Sequence, residues 1–374
     1  MKRVGVIGGG QLAWMMAGAA KCLDTELVVQ TPNKSDPAVA DAADVILAPI
    51  DNAAATAQLA DRCDVITFEN EFINLEALKP MATEGVCFRP GLESLAPLLD
   101  KYDQRCYLQR LGLPVPKFIP LNGKLDLQNW SFPVVVKARR HGYDGQGTFI
   151  LKDRQALGLT LQQLGQTPAL LEEFIPFERE LAAIAARSVA GEVVVYPVVE
   201  TQQEDRVCRR VLVPAQITIA VRERIEAIAR TLLESLEVVG VFGIELFLTS
   251  SGKLLVNEIA PRTHNSGHFT LDACVTSQFE QHLRTICQLP VGNPALNCTG
   301  AVMINLLGYE VATGDYFVKR QKLAAIPGSR VYWYGKTQSR PGRKLGHVTV
   351  LLDTPNRDEA LAIAQKVESI WYNS

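Results

Sequence analysis

The sequence predicts an α/β protein, α+β in its central part. It reads as an N-terminal doubly wound βαβ domain, a middle region carrying a small lid subdomain, and a small C-terminal β-rich domain. Three observations predict this. Apolar strand-like runs alternate with helical stretches over the first hundred residues; the pattern then changes to hairpin-like strands around a glycine-rich loop; and the tail beyond residue 301 carries short strands broken by Gly and Pro before one last helix. The length of 374 residues, at about 150 per domain, suits two or three domains.

Residues 3 to 7 form the first apolar run, ending at Gly8-Gly9-Gly10, and a helix is expected from about Leu12 to Leu23. Strands over Glu26–Gln30 and Asp44–Ala48, a helix over Ala53–Arg62 and a strand over Asp64–Phe68 complete a parallel βαβ pattern. A helix over Asp103–Leu111 is stopped by Gly112-Leu113-Pro114-Val115-Pro116. Strands over Val134–Ala138 and Thr148–Lys152 flank the run from Arg139 to Gly147, and a helix near Gln155–Leu164 leads to a strand over Ala169–Phe174. Ala190-Gly191 marks a hairpin between strands Leu181–Ser188 and Glu192–Pro197. A helix over Val221–Leu236 precedes strands at 241–249 and 253–259, and the last helix spans Arg357–Trp371.

Composition narrows the function. Apolar residues make up 47% and charged residues 21%, as in ordinary globular chains, which excludes a disordered, collagen-like or coiled-coil protein. Lys plus Arg is 38 against 40 for Asp plus Glu, so no basic excess draws the chain to nucleic acid or an anionic membrane. No run approaches the ~20 apolar residues of a membrane span, and the start, broken by glycines, is not expected to be a signal peptide. The eight cysteines include no C-x-x-C pair and read as reduced thiols, many of them buried, in a cytoplasmic protein.

Gly8-x-Gly10-x-x-Ala13 fits a dinucleotide fingerprint, but the second strand ends Val28-Val29-Gln30-Thr31, with no acid before Asp36 to hold a ribose. A turn serving fold geometry or some other phosphate is the preferred reading. Gly142, Gly145 and Gly147 could aim backbone N–H groups at phosphates, and Lys137 stands just upstream; a plain long hairpin is the alternative. A turn at Ser250-Ser251-Gly252-Lys253 would pair Thr249 with Leu254 and set Glu245 opposite Glu258, their Cβ atoms about 4.5–5.5 Å apart. Such a pair calls for a cation, either Mg²⁺ bridging phosphates or a Lys or Arg. The run Ala260–His268 follows at once and reads as an anion-binding loop with Arg262, His264 and Asn265; a His264–His268 zinc pair lacks a third ligand. Lys336, Arg340, Arg343 and Lys344 could bind a substrate phosphate, although solvated surface charge is preferred on spacing alone.

These elements in this order resemble the ATP-grasp superfamily. Within it, Gly8-Gly9-Gly10-Gln11-Leu12, Thr67-Phe68-Glu69-Asn70-Glu71, Gly142-Tyr143-Asp144-Gly145-Gln146-Gly147 and Asn257-Glu258-Ile259-Ala260-Pro261-Arg262-x-His264-Asn265-Ser266-Gly267-His268 are similar to the N5-carboxyaminoimidazole ribonucleotide synthetase family. So are Met303-Ile304-Asn305-Leu306-Leu307-Gly308 and Gly342-Arg343-Lys344-x-Gly346-His347. The chain departs from commoner family residues at Ala13-Trp14, Gln146 and Gln203. The resemblance implies a pre-ATP-grasp domain over 1–100, an ATP-grasp domain over 101–300 with a lid at about 115–175, and a C-terminal domain over 301–374.

It further implies an ATP- and bicarbonate-dependent ligase. Bicarbonate is phosphorylated to carboxyphosphate, and the amine of 5-aminoimidazole ribonucleotide is carboxylated, in purine biosynthesis. Lys101 and Lys137 would contact ATP phosphates, with Gly142, Tyr143, Gly145, Gln146, Gly147 and Thr148 closing over them. Glu172, Glu173, Phe174 and Ile175 would form the adenine hinge, Glu180 would hold the ribose, and Gln203 would lie near the nucleotide. Glu245 and Glu258 would hold Mg²⁺, with Asn257 beside them. Arg262, His264 and Asn265 would clasp bicarbonate and carboxyphosphate, while Asp144 and Tyr143 orient the amine. Lys336 and Arg343 would take the 5′-phosphate, reversing the preference for surface charge, with Glu69 near the ribose. A homodimer is implied. Another carboxylate–amine ligase of the superfamily is the first alternative; a nucleotide-dependent oxidoreductase built on Gly8 and a non-catalytic ATP sensor are the others.

Overall fold

Parallel strands buried on both faces read as continuous apolar runs, and the first layer is built from them. In the computed structural model, which describes residues 1–121, 128–140 and 147–373, β1 (Lys2–Ile7), α1 (Gln11–Ala20), β2 (Thr25–Thr31), β3 (Asp44–Leu47), α2 (Ala53–Ala60) and β4 (Val65–Phe68) form a parallel sheet ordered β3-β2-β1-β4. α3 (Leu75–Thr83) and α4 (Leu92–Leu95) lead to α5 (Lys101–Arg110). The Asp100 carboxylate accepts from the N–H groups of Tyr102 and Asp103 and caps α5, so the helix starts two residues before the expected Asp103 and Lys101 opens its first turn.

A second, antiparallel sheet follows the proline-rich stop. β5 (Phe118–Pro120), β6 (Val134–Ala138), β7 (Thr148–Leu151) and β8 (Ala169–Glu173) run in the order β5-β8-β6-β7, and α6 (Arg154–Leu164) buries Leu157 against them.

The largest sheet has nine strands. β9 (Phe177–Arg187), β10 (Val193–Val195), β11 (Val199–Glu204) and β12 (Val207–Val213) precede α7 (Ile219–Ser235), β13 (Gly240–Thr249) and β14 (Leu254–Ala260). After α8 (Thr270–Ala273) and α9 (Gln278–Ile286) come β15 (Gly300–Leu307), β16 (Ala312–Thr313), α10 (Phe317–Ala324), β17 (Ser329–Trp333), β18 (Gln338–Ser339), β19 (Lys344–Leu352) and α11 (Arg357–Tyr372). The order is β14-β13-β9-β11-β12-β15-β19-β17, with β10 added on β9, while β16 and β18 pair with each other. Because β12 pairs with β15, the sheet runs straight across residue 300, and the C-terminal strands extend it.

Three apolar clusters lock these layers around one cleft. α7 buries Ile225, Ala229 and Leu232 under Phe242 and Leu246. α9 packs Phe279, Leu283 and Ile286 against Leu12 and Met16 of α1, tying the first layer to the large sheet. α11 buries Trp371 against β15 and β19, its indole N–H donating to the Leu307 carbonyl at 2.8 Å. All eight cysteines are free thiols, but only Cys274 and Cys287 are buried; Cys22 is exposed, and the other five are half-buried at the margins of packed elements. No helix among the described residues is long and apolar enough to cross a membrane.

Candidate active site

The expected pairing of Glu245 with Glu258 is present, by a different route. Leu248 pairs with Leu254, so the turn is one residue longer than the sequence suggested; a bulge at Asn257 then restores the register and places Glu245 opposite Glu258. A bulge of this kind re-aims a side chain. Here the Asn257 Nδ2 donates to Glu245 Oε2 at 3.4 Å while its Oδ1 accepts from Lys137 Nζ at 3.0 Å.

Lys101, from the first turn of α5, sets its Nζ 2.7 Å from Glu258 Oε1. Deeper in, the Glu172 carboxylate lies 2.5 Å from Arg105 Nε and 2.8 Å from Lys137 Nζ, and the Arg105 Nη2 donates to the Asn257 carbonyl at 2.6 Å. The Glu172 side chain, assigned to the adenine hinge, is thus committed to an internal ion network. Glu173 instead accepts the Lys117 backbone N–H at 2.8 Å, Phe174 is half-buried, and Ile175 is buried.

The loop after β14 supplies the opposite wall. Arg262 Nε lies 3.0 Å from Glu71 Oε1, and His264 Nε2 lies 3.6 Å from Glu245 Oε1. Asn265 exchanges two amide hydrogen bonds with Asn305 on β15, at 2.9 and 2.7 Å. His268 does not join His264; it is buried beside Phe279 and His347, so the pair is no metal site.

The first glycine loop closes on the protein's own carboxylate. Glu69 accepts the Leu12 N–H at the start of α1, and side chains of Glu69 and Asn70 fill the space a Cβ on Gly8 or Gly10 would need. Gly8 also has φ +117°, which favours glycine. A carboxyl already hydrogen-bonded at this helix N-terminus gives a physical reason for setting the dinucleotide reading aside.

From the C-terminal strands, Lys336 Nζ donates to Gln11 Oε1 at 2.9 Å and to the Lys344 carbonyl at 3.1 Å. Arg343 turns away: its Nη1 donates to the Gln338 carbonyl at 2.7 Å, and it lines a separate surface pocket with Arg340. The adjacent Lys344 faces the cleft in its place. A cavity of about 290 Å³ results, lined by Lys101, Glu245, Glu258, Arg262, His264 and Lys344 among others, with Glu69, Thr148, Gln203 and Asn265 also on its walls. Glu180 hydrogen-bonds Gln203, and Gly147 holds the Ala138 N–H at 2.8 Å. Gly142, Tyr143, Asp144, Gly145 and Gln146 lie outside the described residues.

The electrostatics leave the Glu245 end of the site short of positive charge. Burial, reinforced by Glu258, pushes the Glu245 carboxyl up to about 7, and Lys101 only partly offsets this. Burial and Glu245 push Glu180 up to about 7 as well. Burial acts the same way on Glu258, but Lys101 outweighs it and holds that carboxyl below its ordinary value. Among the described residues no cluster of three or more His, Cys, Asp or Glu could hold a metal alone. Two carboxylates and an amide oxygen suit a hard cation that takes its remaining ligands from phosphates and water, and so fit Mg²⁺ arriving with a nucleotide.

Comparison with known proteins identifies the family. The ATP-grasp domain family matches residues 106–279, the ribonucleotide synthetase preATP-grasp domain matches 1–96, and the phosphoribosylaminoimidazole carboxylase C-terminal domain matches 301–361. The N5-carboxyaminoimidazole ribonucleotide synthase of Synechococcus elongatus is 55% identical, over 100% of this chain and 96% of that protein. The chain belongs to the N5-carboxyaminoimidazole ribonucleotide synthase family. Among solved members, the Thermotoga maritima N5-carboxyaminoimidazole ribonucleotide synthetase is 40% identical with a TM-score of 0.88, covering 99% of this chain and 98% of that one. The Aspergillus clavatus N5-carboxyaminoimidazole synthase, solved with ADP and 5-aminoimidazole ribonucleotide, is 30% identical with a TM-score of 0.90, covering 99% and 98%.

Against the residues expected of an N5-carboxyaminoimidazole ribonucleotide synthase, sequence reasoning missed Glu71, Arg105 and Asn305 at this site and named Lys344 only within the cation cluster. Glu71, Asn305 and Lys344 lie inside motifs already quoted, so a signal was present; Arg105 had none beyond a charged residue on a helix.

Proposed function

We infer that this chain is an ATP-dependent carbon–nitrogen ligase that carboxylates 5-aminoimidazole ribonucleotide to N5-carboxyaminoimidazole ribonucleotide in purine biosynthesis. One observation carries the reading beyond family membership. The cavity that holds Glu245 and Glu258 with Lys101 also holds Arg262, His264 and Lys344, so a phosphoryl donor and an anionic acceptor can meet in one volume.

In this reading Lys101 and Lys137 bind ATP phosphates under the strip from Gly142 to Thr148, Glu172–Ile175 border the adenine, and Glu180 with Gln203 takes the ribose. Lys101 must leave Glu258 to reach the phosphates. Glu245, Asn257 and Glu258 would hold Mg²⁺, whose chemistry is to neutralise charge on the transferring phosphoryl group. Arg262, His264, Asn265 and Lys344 clasp bicarbonate while its oxygen attacks the γ-phosphorus and ADP leaves. The same cations then hold carboxyphosphate away from water. Tyr143 and Asp144 orient the amine, which gives up a proton to the departing phosphate as its nitrogen takes the carboxyl group. Lys336 binds the 5′-phosphate beside Glu69. Arg343 is kept for that phosphate on the resemblance alone, and would have to leave Gln338 to reach it. A homodimeric assembly and a cytoplasmic location belong to the same proposal; the first rests on the family resemblance and the second on the scattered, free cysteines.

The test is ADP release from purified protein with MgATP and bicarbonate, with and without 5-aminoimidazole ribonucleotide. Release that rises sharply with the ribonucleotide, together with bicarbonate-dependent product, is expected. ATP binding without that stimulation would move the acceptor to another amine.

A further inference from the structure

His264 is the residue of the anion loop that faces Glu245, and its backbone is extended, with φ −127° and ψ 151°. Extended backbone needs partners for its N–H and C=O; the C=O accepts the Gly267 N–H at 3.0 Å, and no strand among the described residues meets the N–H. The side chain of Gln278 does. Its Oε1 accepts the His264 N–H at 2.9 Å and its Nε2 donates to the His264 carbonyl at 2.7 Å, so one carboxamide stands in for a β-ladder.

Gln278 is itself held firmly. It is fully buried at the first turn of α9, behind the Ser277 cap, and its own N–H donates to Thr270 Oγ1 at 2.9 Å. That hydroxyl in turn donates to the Gly267 carbonyl at 2.6 Å, closing a ring around the loop. From the other side, a Cβ on Gly243 would lie 2.5 Å from the His264 Cβ, so the histidine rests directly on bare backbone. Ser266 Oγ fixes the ring at Nδ1, 2.8 Å away. Leaving the His264 N–H unpaired would cost about 1–3 kcal/mol, so the loop follows the Gln278 side chain.

We propose that Gln278 is a positioning residue that sets His264 against Glu245, with Gly243 as the opposing wall, and that this pairing determines how much carboxyphosphate goes to product instead of to water. The proposal rests on the reading of His264 as a carboxyphosphate ligand. Water attacking a poorly held carboxyphosphate returns bicarbonate and phosphate, so the signature of a displaced His264 is ADP made without carboxylated amine.

The experiment measures ADP released per carboxylated product, bicarbonate KM and ATP affinity in Gln278→Met, Gln278→Glu, Gly243→Ala and His264→Asn. Gln278→Met keeps the volume and removes both hydrogen bonds. It should lower product turnover about tenfold to a hundredfold, as sub-ångström to ångström misplacement does, while ATP affinity holds. ADP released per product should rise at least about twofold. Gln278→Glu, which keeps the acceptor for the His264 N–H, should recover part of the coupling and carries the test if the Met variant fails to fold. Gly243→Ala should give the same uncoupling from the opposite side. Wild-type coupling in the Gln278 variants beside uncoupled His264→Asn overturns the positioning role. Wild-type coupling in His264→Asn overturns the reading of His264 itself.

Discussion

Glu172 and Glu245 stand at two ends of one polar chain, which runs from Arg105 through Glu172, Lys137 and Asn257 to Glu245. At the inner end, burial would raise Glu172, but Arg105 and Lys137 outweigh it and hold the carboxyl near 2. At the outer end, burial and Glu258 drive Glu245 to about 7, with Glu180 beside it at about the same value. The inner region is an ion network completed by the protein's own side chains. The outer one remains short of positive charge after folding. The proposed Mg²⁺ and polyphosphate site calls for such a deficit, and the contrast supports the assignment of Glu245 to it.

The sharpest way to break this comparison is to neutralise each carboxylate in turn. Glu172→Gln should cost about 3–5 kcal/mol of stability, because it strands Arg105 and Lys137 inside the protein. Glu245→Gln should do the opposite in the ligand-free protein, raising the denaturant midpoint above pH ~7 by removing a carboxylate that folding holds above its ordinary value. Its turnover should nevertheless fall about a hundredfold or more, the loss expected of a residue that holds Mg²⁺ as proposed. Denaturant melts and steady-state rates on the two proteins suffice. Equal destabilisation of both would mean the two ends do not differ.

The same contrast has a signature in pH. For Glu180 and Glu245 the folded value of about 7 exceeds the ordinary 4.5, so between these values the folded state keeps protons that the unfolded chain has released. Their contribution is present below about pH 4.5 and is lost as pH rises through about 7. Glu172 has the reverse sign: its contribution is present above about pH 4.5 and is lost as pH falls toward 2. The buried His268, His282 and His347 rings, held below their ordinary value by burial, add stability as pH rises toward about 6.5, so ligand-free stability should decline only from about pH 7 to about pH 8, and saturating MgATP should flatten that decline. A ligand-free midpoint that rises over that range would remove the claim that the outer carboxylates lack a counter-charge.

How much of this was legible beforehand depended on distance along the chain. The opposition of Glu245 and Glu258 follows from strand period and a short turn, both local. It was reached even though the turn register was off by one, because the Asn257 bulge compensates, and no sequence rule places that bulge. Gln278 and Asn305 were invisible as partners of the anion loop because crossovers, not periodicity, bring them there. The choice between Arg343 and Lys344 shows a subtler limit. At the start of a strand neighbouring side chains take opposite faces, so composition gives the cation cluster while only the phase of β19 says which member enters the cleft. Glu172 illustrates a related failure, since a motif match assigns the position to a ligand border without revealing that its carboxylate is already paired.

The smallest expected effect concerns Lys336, where two roles overlap. Its Nζ joins Gln11 of the first layer to the Lys344 carbonyl of the last, so it could serve as a latch between layers or as the seat of the 5′-phosphate. Lys336→Ala should raise the KM for the ribonucleotide about tenfold, the loss of one charge-assisted phosphate contact, and leave ATP affinity unchanged. Gln11→Ala separates the roles. If Lys336 binds phosphate, removing Gln11 leaves the ammonium on the Lys344 carbonyl and keeps that KM within about twofold. If the latch is what matters, Gln11→Ala reproduces the Lys336→Ala defect, and Lys336 belongs with the completed ion network of the interior instead of with the charge-deficient cleft.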